Sequence, residues 1–321
     1  MRHPARQPLR FAPFFRPMIW GGRKLARFMG KNLPSQDAYG EAWEVSDHPL
    51  HQSRLATASN FGLTLRHLMD QHRRDLLGPA AERFSIFPWL IKLLDADDSL
   101  SVQVHPDPEA VKKLSAGESA KTEAWLILDA EPTSRIYAGL KPGIGPAHLR
   151  EALHQGAIEE CLHAFTPNAG DFVFIPAGTV HALGGGVLLA EIQQTSDATF
   201  RLFDWNRRDA QGQPRKLHIE ESFASIHWDQ SPINPIAAND PRSPLVACPY
   251  FAIERLHRPS SFSVGGRDRL QAMIVTHGQG RFDNGEFVMP GDVWVLPAAL
   301  PKTTLHLDMP MTGLFCTLPS P

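Results

Sequence analysis

The sequence predicts a mainly β protein built from two β-barrels, with a few helices inserted in its N-terminal part. Its 28 prolines and 24 glycines are scattered between short apolar runs, which is typical of many short strands joined by tight turns. Helical patterns are fewer than strand patterns. One β-unit also occurs twice along the chain, which indicates two related barrels.

The predicted strands are short apolar runs bounded by turn residues. They are Trp89–Leu94, Leu100–Val104, Ala124–Leu128, Asp171–Ile175, Leu188–Gln193, Gln271–Thr276 and Val293–Leu296. Between two of them, Asp95, Asp97 and Asp98 form an acidic cluster. Such a cluster is typical of a turn exposed to solvent, and we interpret it in that way.

Three helical segments are predicted in the N-terminal part of the chain. They are 63–77, 107–116 and 146–165. In the first, Leu65, Leu68 and Leu76 recur at helical spacing. In the second, Asp107 and Pro108 look like a cap and a first-turn proline. In the third, apolar residues lie on roughly one face of a helix.

The repeated β-unit divides the chain into two barrels. Gly170–Pro176 and Gly291–Pro297 each contain Gly-Asp, a short apolar strand and a closing proline. The segment 231–244 is rich in Pro, Asn and Ser and breaks every period, so we place a linker there. The expected units are a catalytic domain over 1–230 and a second barrel over 245–321.

Charge and cysteine content exclude several classes of function. The formal net charge is −2, and no run of like charges suggests a nucleic-acid or membrane surface. The three cysteines are widely spaced and form no CxxC pair, which argues against a disulfide framework and suits a reducing compartment. No apolar stretch approaches the roughly 20 residues that span a bilayer. We expect a soluble, cytoplasmic protein.

Four side chains form a predicted metal site. Gln103 and His105 share one face of a strand, because side chains two apart point the same way. Glu123 begins another strand. His181 ends a Gly-x5-Pro-x-Gly-x2-His spacing that resembles the second metal motif of cupins. Two nitrogen and two oxygen ligands suit one Zn²⁺ ion per chain, with room for water or substrate.

The second copy of the repeat lacks these ligands. After Pro297 the chain has neither glycine nor histidine at the matching positions. We therefore expect the C-terminal barrel to be degenerate, without a metal site, and to serve as a structural or dimerising cap.

Seven segments resemble, in order, the type I mannose-6-phosphate isomerases in their short bacterial form. They are Trp20–Gly22, Gly40–Ser46, Phe87–Leu94, Leu100–Pro106, Lys121–Trp125, Gly170–Leu183 and Glu191–Trp205. The combination of LSVQVHP, KTEAW and PAGTVHAL is specific to that family. The large helical insertion of the longer forms is absent. The resemblance implies two cupin-type, jelly-roll barrels, zinc as cofactor, and interconversion of mannose 6-phosphate and fructose 6-phosphate.

The resemblance also implies roles for individual residues. Gln103, His105, Glu123 and His181 hold the zinc ion, in agreement with the strand spacing. The residues expected to face the sugar phosphate are Arg201 and Lys121, with Ser101 and Lys92 as further candidates at the phosphate end. The remaining residues expected to line the pocket are Trp20, Glu44, Glu191 and Asp197.

Interconversion of an aldose and a ketose requires a base, a stabiliser for the enediolate oxygen and a grip on the phosphate. Arg201 carries a permanent charge, so it suits a stabiliser rather than a base. Lys121 is able to hold the phosphate or to shuttle a proton. Glu191 and Asp197 are both plausible bases, and the sequence leaves the choice between them open.

Three alternative functions stay open at this point. An iron-dependent cupin oxygenase is disfavoured, because such sites usually have more imidazole ligands and no glutamine. A non-catalytic bicupin that binds sugar phosphate, and an isomerase of another hexose phosphate, are compatible with the motifs. The expected partner is a small-molecule sugar phosphate, without nucleic acid or membrane, and the protein is expected to be a monomer or homodimer.

Overall fold

The computed structural model describes residues 3–57, 61–114, 119–208 and 212–319 of the chain. It is mainly β, as predicted, and its sheets are antiparallel. Among these residues, no helix is long and apolar enough to cross a membrane.

Each predicted strand overlaps an observed one. The strands are β1 (Leu9–Arg10), β2 (Phe14–Gly22), β3 (Tyr39–Val45), β4 (Asp47–His48), β5 (His51–Gln52), β6 (Trp89–Ala96), β7 (Val102–Val104), β8 (Glu123–Ala130), β9 (Ile136–Leu140), β10 (Leu162–Phe165), β11 (Phe172–Ile175), β12 (His181–Leu183), β13 (Val187–Gln194), β14 (Phe200–Phe203), β15 (Val246–Ala247), β16 (Ala252–Arg258), β17 (Phe262–Val264), β18 (Gln271–Phe282), β19 (Phe287–Val288), β20 (Val293–Leu296) and β21 (Thr303–Thr317).

Two sheets form the N-terminal unit. One has the strand order β11-β8-β13-β6-β2-β3, and the other has the order β10-β9-β12-β7-β14. Trp125 and Leu189 of the first sheet pack with Ile136 and Leu183, which belong to the second. The two sheets therefore face each other across an apolar core, as the layers of a β-sandwich or barrel do.

A third sheet forms the C-terminal unit, in the order β1-β20-β18-β21-β16-β15, with β17 and β19 attached to β21 and β18. Its own core includes Met273, Trp294 and Leu305. Strand β1 comes from the beginning of the chain, and its Leu9 lies opposite Val295.

The largest core lies between the two units. Ile91 and Ala190 of the first sheet pack in one cluster with Ile253 and Leu314 of the third. Helix α2 (Leu65–Leu77) adds Leu68 to the same cluster. The first sheet is thus covered on both faces, because its other face lines the N-terminal core.

The segment 231–244 connects the units along the surface of the first one. The Ile233 amide donates to the Ala138 carbonyl at 3.0 Å, and Ile236 exchanges hydrogen bonds with Phe172. The division into 1–230, 231–244 and 245–321 stays a prediction.

The other helices are α1 (Lys24–Met29), α3 (Pro108–Leu114), α4 (Pro146–Gln155) and α5 (Ile219–Ser225). The prediction of one helix over 146–165 is wrong beyond Gln155. Gly156 adopts a left-handed conformation, with φ 70°, and ends α4. A 3-10 turn and strand β10 follow, where Leu162 pairs with Leu140. The predicted end of the second helix, 115–116, lies outside the described residues.

The interpretation of the acidic cluster as a solvated turn is wrong for Asp95. This residue lies in β6 and is fully buried, and its carboxylate accepts the Leu25 amide of α1 at 3.2 Å. Asp97 and Asp98 are exposed, as expected.

Candidate active site

A cavity of about 360 Å³ opens between the two sheets of the N-terminal unit. Most of the residues predicted from the sequence line it. They are Trp20, Lys92, Ser101, Gln103, Lys121, Glu123, His181, Glu191, Asp197 and Arg201. His105 lies directly against this wall, with its Nε2 atom 3.1 Å from Lys121 Nζ.

The strand register explains why these side chains meet. In an antiparallel sheet, residues directly opposite each other project from the same face. Lys92 on β6 lies opposite Glu191 on β13. On the second sheet, Gln103 of β7 lies opposite both His181 of β12 and Arg201 of β14. The facing sheets bring these two rows together across the cavity.

His105, Glu123 and His181 form a buried cluster whose ligand atoms all lie within 4.8 Å of one another. Both imidazole Nε2 atoms lie 3.4 Å from the Glu123 carboxylate. The Nδ1 atom of His105 lies 2.6 Å from the Ala198 carbonyl, and that of His181 lies 3.0 Å from the Thr179 carbonyl. A proton on each Nδ1 satisfies these carbonyls and leaves Nε2 as the ligand atom, the arrangement found at metal-bound histidines.

Burial and the neighbouring charges together determine the protonation of this cluster. Burial, reinforced by the Lys121 charge, lowers the pKa of His105 to about 3. Burial also lowers the pKa of His181. Burial opposes ionisation of Glu123, but Lys121 and His105 outweigh it and hold the pKa of Glu123 well below its usual value. Two neutral imidazoles and one carboxylate fit a divalent metal ion.

Gln103 lies beside this cluster. Its Nε2 atom is 3.2 Å from His181 Nε2, and its Oε1 atom accepts the Ser101 hydroxyl at 3.3 Å. A half-turn of the amide exchanges the two ends, so that Oε1 is able to face the same centre. All four predicted ligands are therefore gathered at one place, and their role as ligands stays a prediction.

Lys121 and Glu191 extend the buried charges from this centre into the cavity. Lys121 Nζ lies 2.8 Å from Glu123 Oε2. Burial disfavours the Lys121 ammonium, but the attraction of Glu123 and Glu191 is larger and raises its pKa. Glu191 accepts the Trp125 indole N–H at 3.2 Å. Burial, assisted by the charge of Glu123, raises the pKa of Glu191 to about 7.

A second group of charges lies on the first sheet around Lys92. Its Nζ atom is 3.6 Å from Glu191 Oε2 and 3.9 Å from both Glu41 Oε2 and Asp197 Oδ1. Arg16 donates to Glu41 Oε2 at 3.0 Å and lies 3.6 Å from Asp197 Oδ2. Burial would favour a neutral Glu41, but Lys92 and Arg16 outweigh it and lower its pKa.

Two arginines and a histidine also line the part of the cavity that the second sheet forms. Arg201, Arg215 and His218 lie in this wall together with Ser101. Arg201 donates to the Lys216 carbonyl at 2.8 Å, and the Nε atom of Arg215 donates to Asp204 Oδ2 at 2.8 Å. Both guanidinium groups are therefore held in fixed orientations beside the cavity.

Glu44 does not lie in this cavity, although the family resemblance suggests that it lines the pocket. Its Oε1 atom lies 2.7 Å from Lys31 Nζ, beside a different cavity that Asp292 also lines. Glu41, three residues earlier on β3, projects into the site instead. The other lining residues that the motifs did not single out are Arg16, Met18, Leu94, Leu100, Trp125, Leu183, Thr199, Arg215 and His218.

Comparisons with known proteins agree on one family. Residues 9–125 match the model for the catalytic domain of phosphomannose isomerase type I. The mannose-6-phosphate isomerase ManA of Bacillus subtilis is 36% identical over 308 residues, covering 94% of this chain and 96% of that protein. A mannose-6-phosphate isomerase of Streptococcus mutans is 34% identical over 311 residues, with 94% and 96% covered.

A solved structure supports the same similarity in three dimensions. The crystal structure of mannose 6-phosphate isomerase from Bacillus subtilis matches with a TM-score of 0.86 at 30% identity. The match covers 97% of this chain and 99% of that one, so it includes both the N-terminal unit and the C-terminal sheet.

Proposed function

This chain belongs to the type I phosphomannose isomerase family, and on that premise we propose that its cavity interconverts mannose 6-phosphate and fructose 6-phosphate. One observation carries the proposal: the three metal-type donors of His105, Glu123 and His181 adjoin a buried carboxylate, Glu191, and a lysine, Lys121, within one cavity. An aldose–ketose isomerase requires that combination of an oxyanion stabiliser, a base and a cation.

We propose that one Zn²⁺ ion per chain is held by Gln103, His105, Glu123 and His181. The mixed nitrogen and oxygen donors support a borderline metal, and the buried, neutral imidazoles support binding without loss of protons from histidine. When bound, such an ion supplies a Lewis acid that stabilises negative charge on the sugar oxygens without redox chemistry.

Glu191 is the proposed base. Isomerisation moves one proton from C2 to C1 while the carbonyl passes from C1 to C2, so a single group is able to remove the proton and return it. The Glu191 pKa of about 7 allows it to do both near neutral pH. Asp197 is less buried and lies between Arg16 and Lys92, which favours a role in orienting those cations.

Lys121 is proposed to act beside the reacting carbons. Its ammonium contacts the metal-type cluster, 2.8 Å from Glu123 Oε2, beside the proposed metal centre. From there it stabilises the enediolate oxygens and passes a proton from the oxygen on C2 to the oxygen on C1. Charge balance is preserved, because Lys121 ends in the state in which it began.

The phosphate is proposed to bind where the second sheet forms the wall. Arg201 presents a planar guanidinium suited to phosphate oxygens, and the Ser101 hydroxyl adds a donor. Trp20 contributes an apolar wall for the sugar carbons. Lys92, 3.6 Å from Glu191, is proposed to contact a sugar oxygen near the base.

A coupled assay tests the function. Purified protein converts mannose 6-phosphate to fructose 6-phosphate, loses this activity after treatment with a chelator and regains it when Zn²⁺ is restored. Turnover of another hexose phosphate in preference to mannose 6-phosphate would correct the substrate. Tight binding of mannose 6-phosphate by folded, zinc-loaded protein without any turnover would support a non-catalytic bicupin instead.

A further inference from the structure

The ammonium of Lys92 occupies an unusual position among the charges of the cavity. It lies 3.6–3.9 Å from three carboxylates, those of Glu191, Glu41 and Asp197. These distances are longer than the ~2.8 Å of a charge-assisted hydrogen bond. Within the described part of the chain, no hydrogen bond shorter than 3.5 Å holds this group. The ammonium therefore lies between the three carboxylates without a close hydrogen bond to any of them. Its N–H groups are available to a substrate.

Glu41 supports one side of this balance together with Trp43. The two residues are two positions apart on β3, and the Trp43 indole N–H donates to Glu41 Oε2 at 2.6 Å. This bond orients the indole ring, which has Lys92 Nζ 5.1 Å and Arg16 Cζ 5.0 Å from its centre. Aromatic rings attract cations at such distances. One carboxylate thus orients the ring and attracts both cations.

We propose that Glu41 is a positioning residue which, with Trp43, fixes the Lys92 ammonium at the place where it meets the substrate. The inference rests on the proposed function and adds a residue that the sequence motifs did not single out. Removing the Glu41 charge leaves Glu191 and Asp197 as the carboxylates that attract Lys92. The ammonium then moves onto those carboxylates and away from the substrate oxygen.

The variant Glu41→Gln tests this role, because it preserves the shape of the side chain and an oxygen for the Trp43 indole. We expect kcat to fall about 10- to 100-fold, the loss that follows a displacement of about 1 Å in a catalytic group. The KM for mannose 6-phosphate and the zinc content stay close to wild type, since Glu41 contacts neither the proposed metal ligands nor the phosphate pocket.

A double-mutant cycle distinguishes positioning from a general structural effect. If Glu41 acts through Lys92, Glu41→Gln adds no further loss of kcat to a Lys92→Met protein. Independent losses that multiply in the double variant overturn the inference. Asp47→Asn is the matched control: it neutralises another buried carboxylate that pairs with an arginine, Arg66 at 2.9 Å, outside the cavity. We expect it to leave kcat unchanged.

A crystal structure of Glu41→Gln gives a result that does not depend on turnover. A displaced Lys92 ammonium supports the inference. An ammonium and a Trp43 ring at their wild-type positions overturn it, even if kcat falls. If wild-type protein does not isomerise any hexose phosphate, the proposed function fails, and this structure alone still decides whether Glu41 positions Lys92.

Discussion

Two carboxylates of the cavity, Glu191 and Asp197, compete for the role of base, and the sequence does not separate them. The structure separates them by environment. The Glu191 side chain is almost fully buried, whereas 28% of the Asp197 side chain is exposed between two cations. Burial raises the pKa of a carboxylate towards the range of a general base, so the two residues are expected to behave differently on substitution.

Glu191→Gln is predicted to abolish the proton transfer. We expect kcat to fall by about 10²–10⁴, the usual contribution of a positioned base, with a small change in KM. Exchange of the C2 hydrogen of mannose 6-phosphate with solvent is expected to stop in parallel. Asp197→Asn serves as the control and is expected to retain this exchange. The reverse pattern, with exchange lost only in Asp197→Asn, would make Asp197 the base.

His181→Ala is predicted to remove the metal together with the activity. The substitution deletes one nitrogen donor from a cluster whose atoms lie within 4.8 Å of one another. Elemental analysis of the purified variant is expected to find much less than one zinc per chain. The control is His154→Ala, which removes an exposed histidine at the end of α4. Full zinc content in His181→Ala would contradict the proposed ligand set.

The sequence predicted which side chains point into the cavity where the spacing along a strand was definite, and it failed to do so where the spacing was not. In Gln103 and His105, the interval of two residues on a strand indicated a common face. In Gly40–Ser46, the resemblance named Glu44 as the residue that lines the pocket, and the structure places Glu41 there instead. Glu41 faces the cavity and Glu44 pairs with Lys31, because three residues along a strand reverse the direction of the side chain. The sequence indicates that side chains alternate between the two faces of this strand, but it does not indicate which face points into the cavity.

At the scale of elements, local signals predicted seven of the 21 strands seen in the described residues, and they misplaced the end of α4. The apolar pattern of 146–165 continues past Gly156, so periodicity alone extends α4 too far. A glycine in the left-handed region ends the helix, and pairing with β9 makes the following residues a strand. The burial of Asp95 also depends on a contact with a distant segment. Helix α1 lies against the end of β6 only in the folded chain.

The contact between β6 and α1 predicts a pH-dependent stability. Burial, the largest cause, raises the pKa of Asp95 to about 6 from 3.8. The folded state therefore binds the proton more tightly than the unfolded state. The favourable contribution is complete below pH 3.8 and is lost as the pH rises through about 6. At neutral pH, the ionised carboxylate destabilises the fold.

Asp95→Asn is predicted to stabilise the protein at pH 7.5 by on the order of 2 kcal/mol, because asparagine keeps an acceptor for the Leu25 amide without the charge. The advantage should disappear near pH 4. Denaturant unfolding of both proteins at several pH values measures the difference. Asp97→Asn, at an exposed neighbour, is expected to show no such dependence. If Asp95→Asn changed the free energy of unfolding equally at pH 7.5 and near pH 4, the buried charge of Asp95 would not be the cause.

At the scale of the whole molecule, the sequence indicated two barrels but not how they join. The repeat suggested the C-terminal unit, whereas no local pattern predicts that Leu9–Arg10 pairs with β20 nearly three hundred residues later. The face of the first sheet that packs on the third sheet carries apolar residues like those of any core. The sequence therefore does not indicate which element covers that face. Contacts between distant segments depend on the fold as a whole, and single-sequence patterns do not encode them.

The shared core leads to a prediction about cooperativity that also tests the division at 231–244. Ile253 is fully buried in β16, within the cluster that includes Ile91 of the first sheet. Ile253→Ala is expected to destabilise the protein by about 2–5 kcal/mol, the usual cost of such a cavity. Because both units contribute to this core, calorimetry should show one transition at a lower temperature. Isomerase activity should be lost in the same transition.

Met309→Ala is the control for this prediction, since 51% of Met309 is exposed on β21 of the same unit. Its melting temperature is expected to stay close to wild type. Two separated transitions in Ile253→Ala, with activity surviving the first, would mean that the N-terminal unit folds without the C-terminal sheet. The boundary at 231–244 would then separate independent domains. A single transition would instead make the C-terminal sheet a part of the fold that supports the catalytic cavity.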